Sequence, residues 1–307
     1  MNLNKPDFWD LKKKNLYSIL LLPITAIYFL ALSLKKKIIP KKKFEIKIIC
    51  IGNIYLGGTG KTPLSIKLAK ILKKKFNLAV IKKNYSDQKD EISLLKKYCT
   101  TITDHSREGA IQKAIDEKHN LLILDDGFQD TSIIKDLSII CFSSEQGVGN
   151  GLLLPSGPLR DSLKTLKNAD IAFINGDLNL DLEKIIKENN HQIKIFYSRY
   201  EITNIHKYNN NNYFIFSGIG NNINFLKLLK KNNISVKEYK FFPDHYCFKD
   251  YEIDYLKETA LKKNLILLTT EKDFLRLTAK QQDKVDYLTT ELIINDEEKL
   301  SKELMSI

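Results

Sequence analysis

Gly52-Asn-Ile-Tyr-Leu-Gly57-Gly58-Thr59-Gly60-Lys61-Thr62-Pro63 is the stretch on which the reading of this chain turns. Before it, Glu45–Ile51 (EIKIICI) is an apolar, β-branched run that reads as a buried strand. After it, Leu64–Leu72 carries apolar residues at helical spacing. Strand, glycine-rich turn and helix are the context of a phosphate-binding loop. The glycines, Gly57, Gly58 and Gly60 with Thr59 between them, let backbone N–H groups close around phosphate. Lys61 is placed to reach the β- and γ-phosphates, and the Thr62 hydroxyl suits Mg²⁺. Pro63 fits a first helical turn, where a missing N–H costs little. The strict spacing asks for glycine at position 55, where Tyr55 stands.

A carboxylate partner follows where such a loop needs one. Asn120–Leu124 (NLLIL) reads as a second buried strand, and Asp125-Asp126-Gly127-Phe128-Gln129 comes directly after it. Acids at the end of a strand beside the loop hold Mg²⁺ directly or through water, so Thr62, Asp125 and Asp126 form the candidate metal set. These features predict a nucleotide-dependent protein. They leave open whether it is a kinase for a small molecule or lipid, or a membrane-bound ATPase whose output is conformational.

The chain has 307 residues, enough for about two domains. Its 43% hydrophobic and 28% charged residues exclude a disordered chain and a polytopic membrane protein. The net charge is +12, yet arginine appears only at Arg107, Arg160, Arg199 and Arg276. Lysine-rich composition with so few guanidinium forks disfavours a nucleic-acid surface. Most of the charge lies in residues 1–43, which hold ten Lys and two Asp. There Leu16–Leu34 (LYSILLLPITAIYFLALSL) contains no charge and is flanked by Lys12–Lys14 and Lys35–Lys37. As a helix it would be about 28 Å long and apolar all round, which points to a membrane rather than to a half-buried surface. A buried core helix and a cleaved signal segment are the alternatives. A cytoplasmic body would put Lys12–Lys14 on the wrong side of a spanning helix, and Pro23 interrupts the run. A helix lying in the interface, with its lysines on anionic headgroups, is the favoured expectation.

Taken together, the motifs resemble one family. IGNIYLGGTGKTP (residues 51–63), DDGFQ (125–129) and GNGLLLPSGPLR (149–160) look like tetraacyldisaccharide 4'-kinase, the lipid A 4'-kinase. FSGIGNNINFLKLL (216–229), FFPDHYCF (241–248) and LLTTEKDFLRL (267–277) continue the likeness in order, as do the N-terminal PDFW and the apolar Leu-Pro run. The resemblance implies transfer of the ATP γ-phosphoryl group to the 4'-hydroxyl of an acylated glucosamine disaccharide 1-phosphate, giving lipid IVA at the cytoplasmic face of the inner membrane. It implies ATP and Mg²⁺, a lipid substrate, no nucleic acid and no obligate protein partner. It makes Asp90 the base, His245 its helper and Lys61 a catalytic cation. Glu91, Arg160 and Asp161 become substrate-side candidates, with Asp161 a possible further acid of the metal's surroundings. The chain departs from the family pattern at Lys83-Asn84-Tyr85-Ser86, which stand for Arg-Gly-Tyr-Gly, at Asp130, which replaces a His, and at Tyr246, which replaces the second His of Asp-His-His.

The expected fold is α/β, a P-loop NTPase-type α/β/α domain plus a smaller α/β domain, with an N-terminal membrane-associated helix. The boundaries are 1–43 for that segment, 44–205 for the P-loop domain and 206–307 for the smaller one, with a linker within Arg199–Asn212. Thr100–Thr103 and Asp170–Ile174 are expected as strands. Cys50, Cys99, Cys141 and Cys247 have no metal spacing and read as reduced, mostly buried thiols. The competing functional reading is a membrane-associated P-loop ATPase without a lipid acceptor. A binding module with a vestigial loop is the third.

Overall fold

Strands that are apolar without alternation need both faces covered, and this chain supplies helices for each. The computed structural model describes residues 6–11, 15–85, 88–203, 205–208 and 211–305. Lys12–Lys14 and Ser86, both used in the sequence reading, lie outside them. The chain begins with α1 (Leu16–Leu20) and α2 (Leu22–Ile38). It then runs β1 (Lys47–Gly52), α3 (Lys61–Leu72), β2 (Leu78–Lys83), α4 (Lys89–Tyr98), β3 (Thr101–Asp104), α5 (Arg107–Asp116) and β4 (Leu121–Asp125). β5 (Leu137–Ser143), β6 (Ile171–Asn175), α6 (Leu180–Asn189) and β7 (Lys194–Ile202) follow. A second series comprises β8 (Asn212–Ser217), α7 (Asn222–Lys231), β9 (Ser235–Phe241), α8 (Asp250–Lys262), β10 (Ile266–Thr270), α9 (Glu271–Phe274), α10 (Ala279–Gln282) and β11 (Asp286–Leu288). β12 (Thr290–Ile294) and α11 (Glu297–Met305) end it.

The larger sheet has the order β12-β7-β6-β5-β1-β4-β2-β3 and is parallel except for β12, which pairs antiparallel with β7. Successive residues of a strand point to opposite faces, so each strand feeds two cores. Ile48, Cys50, Leu122 and Leu124 meet Ala110 and Ile111 of α5 and Leu182 of α6 on one face. Ile49, Ile51, Leu121 and Ile123 meet Leu64 and Leu68 of α3 and Leu300 of α11 on the other. The smaller sheet, β11-β10-β8-β9, is wholly parallel and is covered in the same way by α8 and α7. The α/β class expected from the sequence is what forms.

Two expected boundaries change. Residues 290–305 do not stay with the smaller sheet: β12 completes the edge of the larger one, and α11 packs Leu300 and Leu304 into its core. The expected linker also begins too early, because Arg199–Ile202 are still part of β7. Both differences arise because a ladder against β7 satisfies backbone groups that the local sequence gave no sign of needing.

The N-terminal run is not one helix. Leu21 separates α1 from α2, and Pro23 sits in the first turn of α2, where its missing N–H has no partner to lose. These helices turn a polar stripe inward. Thr25 Oγ1 donates to Ser156 Oγ (2.7 Å), Asn150 Nδ2 donates to Ser18 Oγ (3.1 Å), and Tyr28 Oη donates to the Arg160 carbonyl (3.1 Å). Lys36 pairs with Asp161. Their apolar side chains face outward: Ile24 is 54% exposed, Ile27 68%, Leu30 60% and Leu34 58%. That exposure overturns the buried-core alternative. No helix among the described residues is long and apolar enough to cross a membrane.

Candidate active site

In parallel α/β sheets ligands gather at the carboxyl ends of the strands. β1 ends at Gly52 beside β4, which ends at Asp125, with Ile51 and Asp125 in register. The loop after β1 therefore lies over the acid pair. Gly60 enters α3 at φ 91°, and a Cβ there would sit 2.9 Å from Asn175 Nδ2 and 3.1 Å from Tyr200 Oη. Both the left-handed backbone and the contact require glycine. Asn53, fully buried, braces the loop from below through Thr59 Oγ1 (2.9 Å) and the Gly57 carbonyl (3.2 Å).

Thr62 and Asp125 meet as expected: Thr62 Oγ1 donates to Asp125 Oδ2 at 3.0 Å, and Ser65 Oγ donates to Oδ1 at 3.1 Å. Lys61 Nζ lies 3.8 Å from Asp126 Oδ1, which also accepts from Arg160 Nη2 at 2.8 Å. Burial favours a neutral Asp126, but the charges of Lys61 and Arg160 outweigh it and hold the carboxyl well below the ordinary range. Among the described residues no cluster of three or more His, Cys, Asp or Glu side chains is placed to hold a metal. A hydroxyl and a carboxylate converging at a phosphate loop nonetheless fit Mg²⁺, which takes few protein oxygens and completes its shell with phosphates and water.

Opposite the loop, Asp90 and Glu91 occupy the first turn of α4. Asp90 is buried. Its Oδ1 lies 3.3 Å from His245 Nδ1, and its Oδ2 accepts from Arg276 Nε (2.9 Å) and Nη2 (2.6 Å), with Lys272 Nζ at 3.5 Å. Desolvation opposes ionisation, but the bond from His245 and the charges of Lys272 and Arg276 prevail and hold Asp90 strongly acidic. Glu91 bonds Lys82 (2.6 Å) and Lys272 (3.1 Å), with a similar outcome. His245, Lys272 and Arg276 come from the smaller unit, so the acid–imidazole pair forms only where the two units meet. A cleft of about 1750 Å³ runs between them. It is lined by the phosphate loop, Glu91, Asp126, Asp244, His245 and Lys272, and reaches Phe8, Trp9 and Leu21 at the N-terminal segment.

A family model described as tetraacyldisaccharide-1-P 4'-kinase (LpxK) matches residues 17–98 and 87–307. The chain belongs to that family. It is 41% identical over 312 residues to the tetraacyldisaccharide 4'-kinase of Pelagibacter ubique, covering 100% of this chain and 99% of that protein. It is 32% identical to the Rickettsia akari kinase of the same name, covering 97% and 96%. The crystal structure of LpxK from Aquifex aeolicus in complex with ATP superposes with a TM-score of 0.71 at 25% identity, over 94% of this chain and 98% of that one. Membership in this kinase family makes the chain a phosphotransferase.

Asp161 alone of the expected site residues is turned away. It is buried against Lys36 of α2 and caps the Ser162 N–H (2.9 Å), so it anchors the N-terminal segment. Arg160 lines the cleft, but its guanidinium is bound to Asp126 and to Asn53. Several neighbours of the site went unassigned: Lys82, Lys272, Arg276, Arg107, Asn53 and Gln129. Lys272 and Arg276 stand four apart in Glu-Lys-Asp-Phe-Leu-Arg at the end of β10, one turn of helix, which would have marked a shared face.

Proposed function

We propose that this cleft passes the γ-phosphoryl group of ATP, accompanied by Mg²⁺, to the 4'-hydroxyl of tetraacyldisaccharide 1-phosphate, and that it does so at an anionic membrane surface. The observation that carries the reading is that Lys61 and His245 line one cleft, with Asp90 directly behind His245. Bound Mg²⁺ supplies charge neutralisation at the phosphates, and Thr62 and Asp125 are the residues that would hold it. The phosphate loop grips the donor through backbone N–H groups, and Lys61 balances charge on its terminal phosphates. Asp90 accepts a hydrogen bond from the acceptor hydroxyl and aligns it for in-line attack. An acid held so far below the ordinary range is a weak base, which suits a loose transition state in which the hydroxyl proton leaves late. His245, on the other oxygen of Asp90, provides the exit for that proton. Arg276 and Lys272 keep Asp90 ionised and oriented.

The outward apolar face of α1 and α2, with Lys35–Lys37 in the last turn of α2, supports the membrane part of the reading. Each Ile or Leu that leaves water for lipid contributes about 1.5–3 kcal/mol. The same segment borders the cleft, so an acylated substrate would reach Asp90 without leaving the bilayer surface. The test uses γ-labelled ATP, Mg²⁺ and the disaccharide 1-phosphate in detergent. Label in lipid is the expected result; label only in free phosphate identifies an ATPase without a lipid acceptor. Asp90→Ala and Lys61→Ala should each lower kcat by orders of magnitude, and normal turnover of Asp90→Ala refutes its role. Ile27→Glu/Leu30→Glu should abolish sedimentation with anionic vesicles while leaving the protein folded; unchanged sedimentation removes the membrane assignment.

A further inference from the structure

β2 ends on two lysines that point to opposite sides of the sheet. Lys83 is half-buried, whereas Lys82 is 1% exposed. Lys82 Nζ donates to Asp125 Oδ2 (2.9 Å) and to Glu91 Oε2 (2.6 Å). The same Asp125 oxygen accepts from Thr62 Oγ1. A fixed ammonium is thus bonded to the carboxylate that the phosphate loop presents to a metal ion. The remaining charges facing it are Lys272 on the far oxygen of Glu91, at 3.1 Å, and Asp126 with its partners Lys61 and Arg160. Burying a lysine costs several kcal/mol unless close partners repay it, and an apolar side chain of similar size usually serves packing better. Packing at the end of β2 therefore does not account for Lys82. Without it, the buried Asp125 and the half-buried Glu91 would be carboxylates next to a hydroxyl, an oxygen-rich cluster of the kind hard divalent cations occupy.

We propose that Lys82 is a built-in counter-cation that keeps the Thr62–Asp125–Glu91 cluster closed to free divalent ions, so that metal enters only together with nucleotide phosphates. The proposal rests on the reading of Thr62 and Asp125 as the metal-holding residues. Lys82 touches no reacting atom; it is a positioning residue. It also links the acid under the phosphate loop to the turn that carries Asp90, so the two halves of the site are set against each other before substrates arrive. Phosphate oxygens supply the ligands that the cluster, with its ammonium in place, lacks.

Mn²⁺ binding to the full-length protein, read by electron paramagnetic resonance, tests this without reference to turnover. In the absence of nucleotide the parent should bind Mn²⁺ weakly. Lys82→Met should bind it at least tenfold more tightly, a gain of about 1.4 kcal/mol, and Lys82→Met/Asp125→Asn should lose that gain. Lys82→Gln, which keeps an N–H donor for Asp125 but no charge, should show the same gain and serves if the Met variant does not fold. Unchanged or weaker Mn²⁺ affinity in a folded neutral variant overturns the proposal. If Asp125→Asn leaves Mn²⁺ binding in the presence of ADP unaltered, the metal reading itself falls, whatever the Lys82 variants do.

Discussion

Replacing Arg276 by Met asks how much of the junction between the two units rests on one guanidinium. Arg276 donates to Asp90 Oδ2 through Nε and Nη2, and through Nη1 to Asp273 Oδ1 (2.6 Å) and the Gly218 carbonyl (2.5 Å). Both acids are buried, Asp273 completely. Removing one partner of a buried pair costs about 3–5 kcal/mol because the other charge stays behind. Here the lower end applies. Asp90 retains His245 and Lys272, and Asp273 retains the Thr270 hydroxyl (2.7 Å) and the Gly218 N–H (3.1 Å). A loss of about 3 kcal/mol is a large part of the 5–15 kcal/mol typical of a folded protein.

The pH dependence has a definite sign. Asp90 is depressed in the native state, so its stabilising contribution is present above the unfolded value near 4 and disappears as pH falls through the lower native value. In Arg276→Met the native value rises, and the variant takes up a proton sooner. Its deficit relative to the parent should therefore stay level down to about pH 5 and narrow from about pH 5 to about pH 3, as the variant takes up that proton before the parent does. Urea unfolding followed by far-ultraviolet circular dichroism at neutral pH and at both of these values measures this. A variant within about 0.5 kcal/mol of the parent at neutral pH, or a deficit that widens on acidification, refutes the electrostatic account.

Gly220→Ala tests the contact between the smaller unit and the phosphate loop. A Cβ there would lie 2.6 Å from the Gly58 N atom and 3.0 Å from Asp244 Oδ2, so the variant should keep ATP affinity but lose at least tenfold in kcat; an unchanged kcat means the units can meet some other way. Thr25→Val leaves Ser156 without the partner that both accepts from its backbone N–H (3.2 Å) and donates to its hydroxyl, at about 1–3 kcal/mol. Trypsin should then cut at Lys35–Lys37 faster than in the parent, and an equal rate would place the docking energy elsewhere. For the thiols, burial pushes Cys50 up to about 11 and Cys141 higher still, while Cys247 is exposed. Near pH 8 a disulfide reagent should label Cys247 rapidly and Cys247→Ser should abolish the fast phase; rapid labelling of Cys50 would contradict its place in the core.

The phosphate loop, the acid pair after β4 and the α/β class were legible because each rests on local pattern: a glycine run, an apolar run, a change of period. The long-range pairings were not. Nothing in Thr290–Ile294 says that it will join β7 rather than β10, since edge pairing depends on which backbone groups remain free once both sheets have formed. Asp161 is a related case. The family resemblance makes it an acid of the metal's surroundings, but its carboxylate is taken by Lys36 of α2, a pairing between distant stretches of chain that no local pattern announces. Lys82 was hidden by composition. In a chain with 45 lysines one more draws no notice, and only burial distinguishes it. The apolar character of residues 16–34 was plain, but not its orientation. The helices bind the body through Ser18, Thr25 and Tyr28, the few polar residues of an apolar run.

The return of β12 to the larger sheet has a topological consequence. The two chain crossings between the units lie side by side. Ile202 pairs with Thr290, the Thr203 N–H donates to the Thr289 carbonyl (3.2 Å), and the two threonine hydroxyls are 2.6 Å apart. The smaller unit is therefore a cassette spliced into a β-hairpin, and its mouth is already closed by hydrogen bonds. Excision with a short turn joining β7 to β12 would leave the larger sheet and its phosphate loop whole while removing His245, Lys272 and Arg276 together. Truncation from the carboxyl end would do the reverse, stripping the edge of the nucleotide-side sheet first. Grip on the donor and activation of the acceptor are thus written on separable lengths of chain, joined at a single seam.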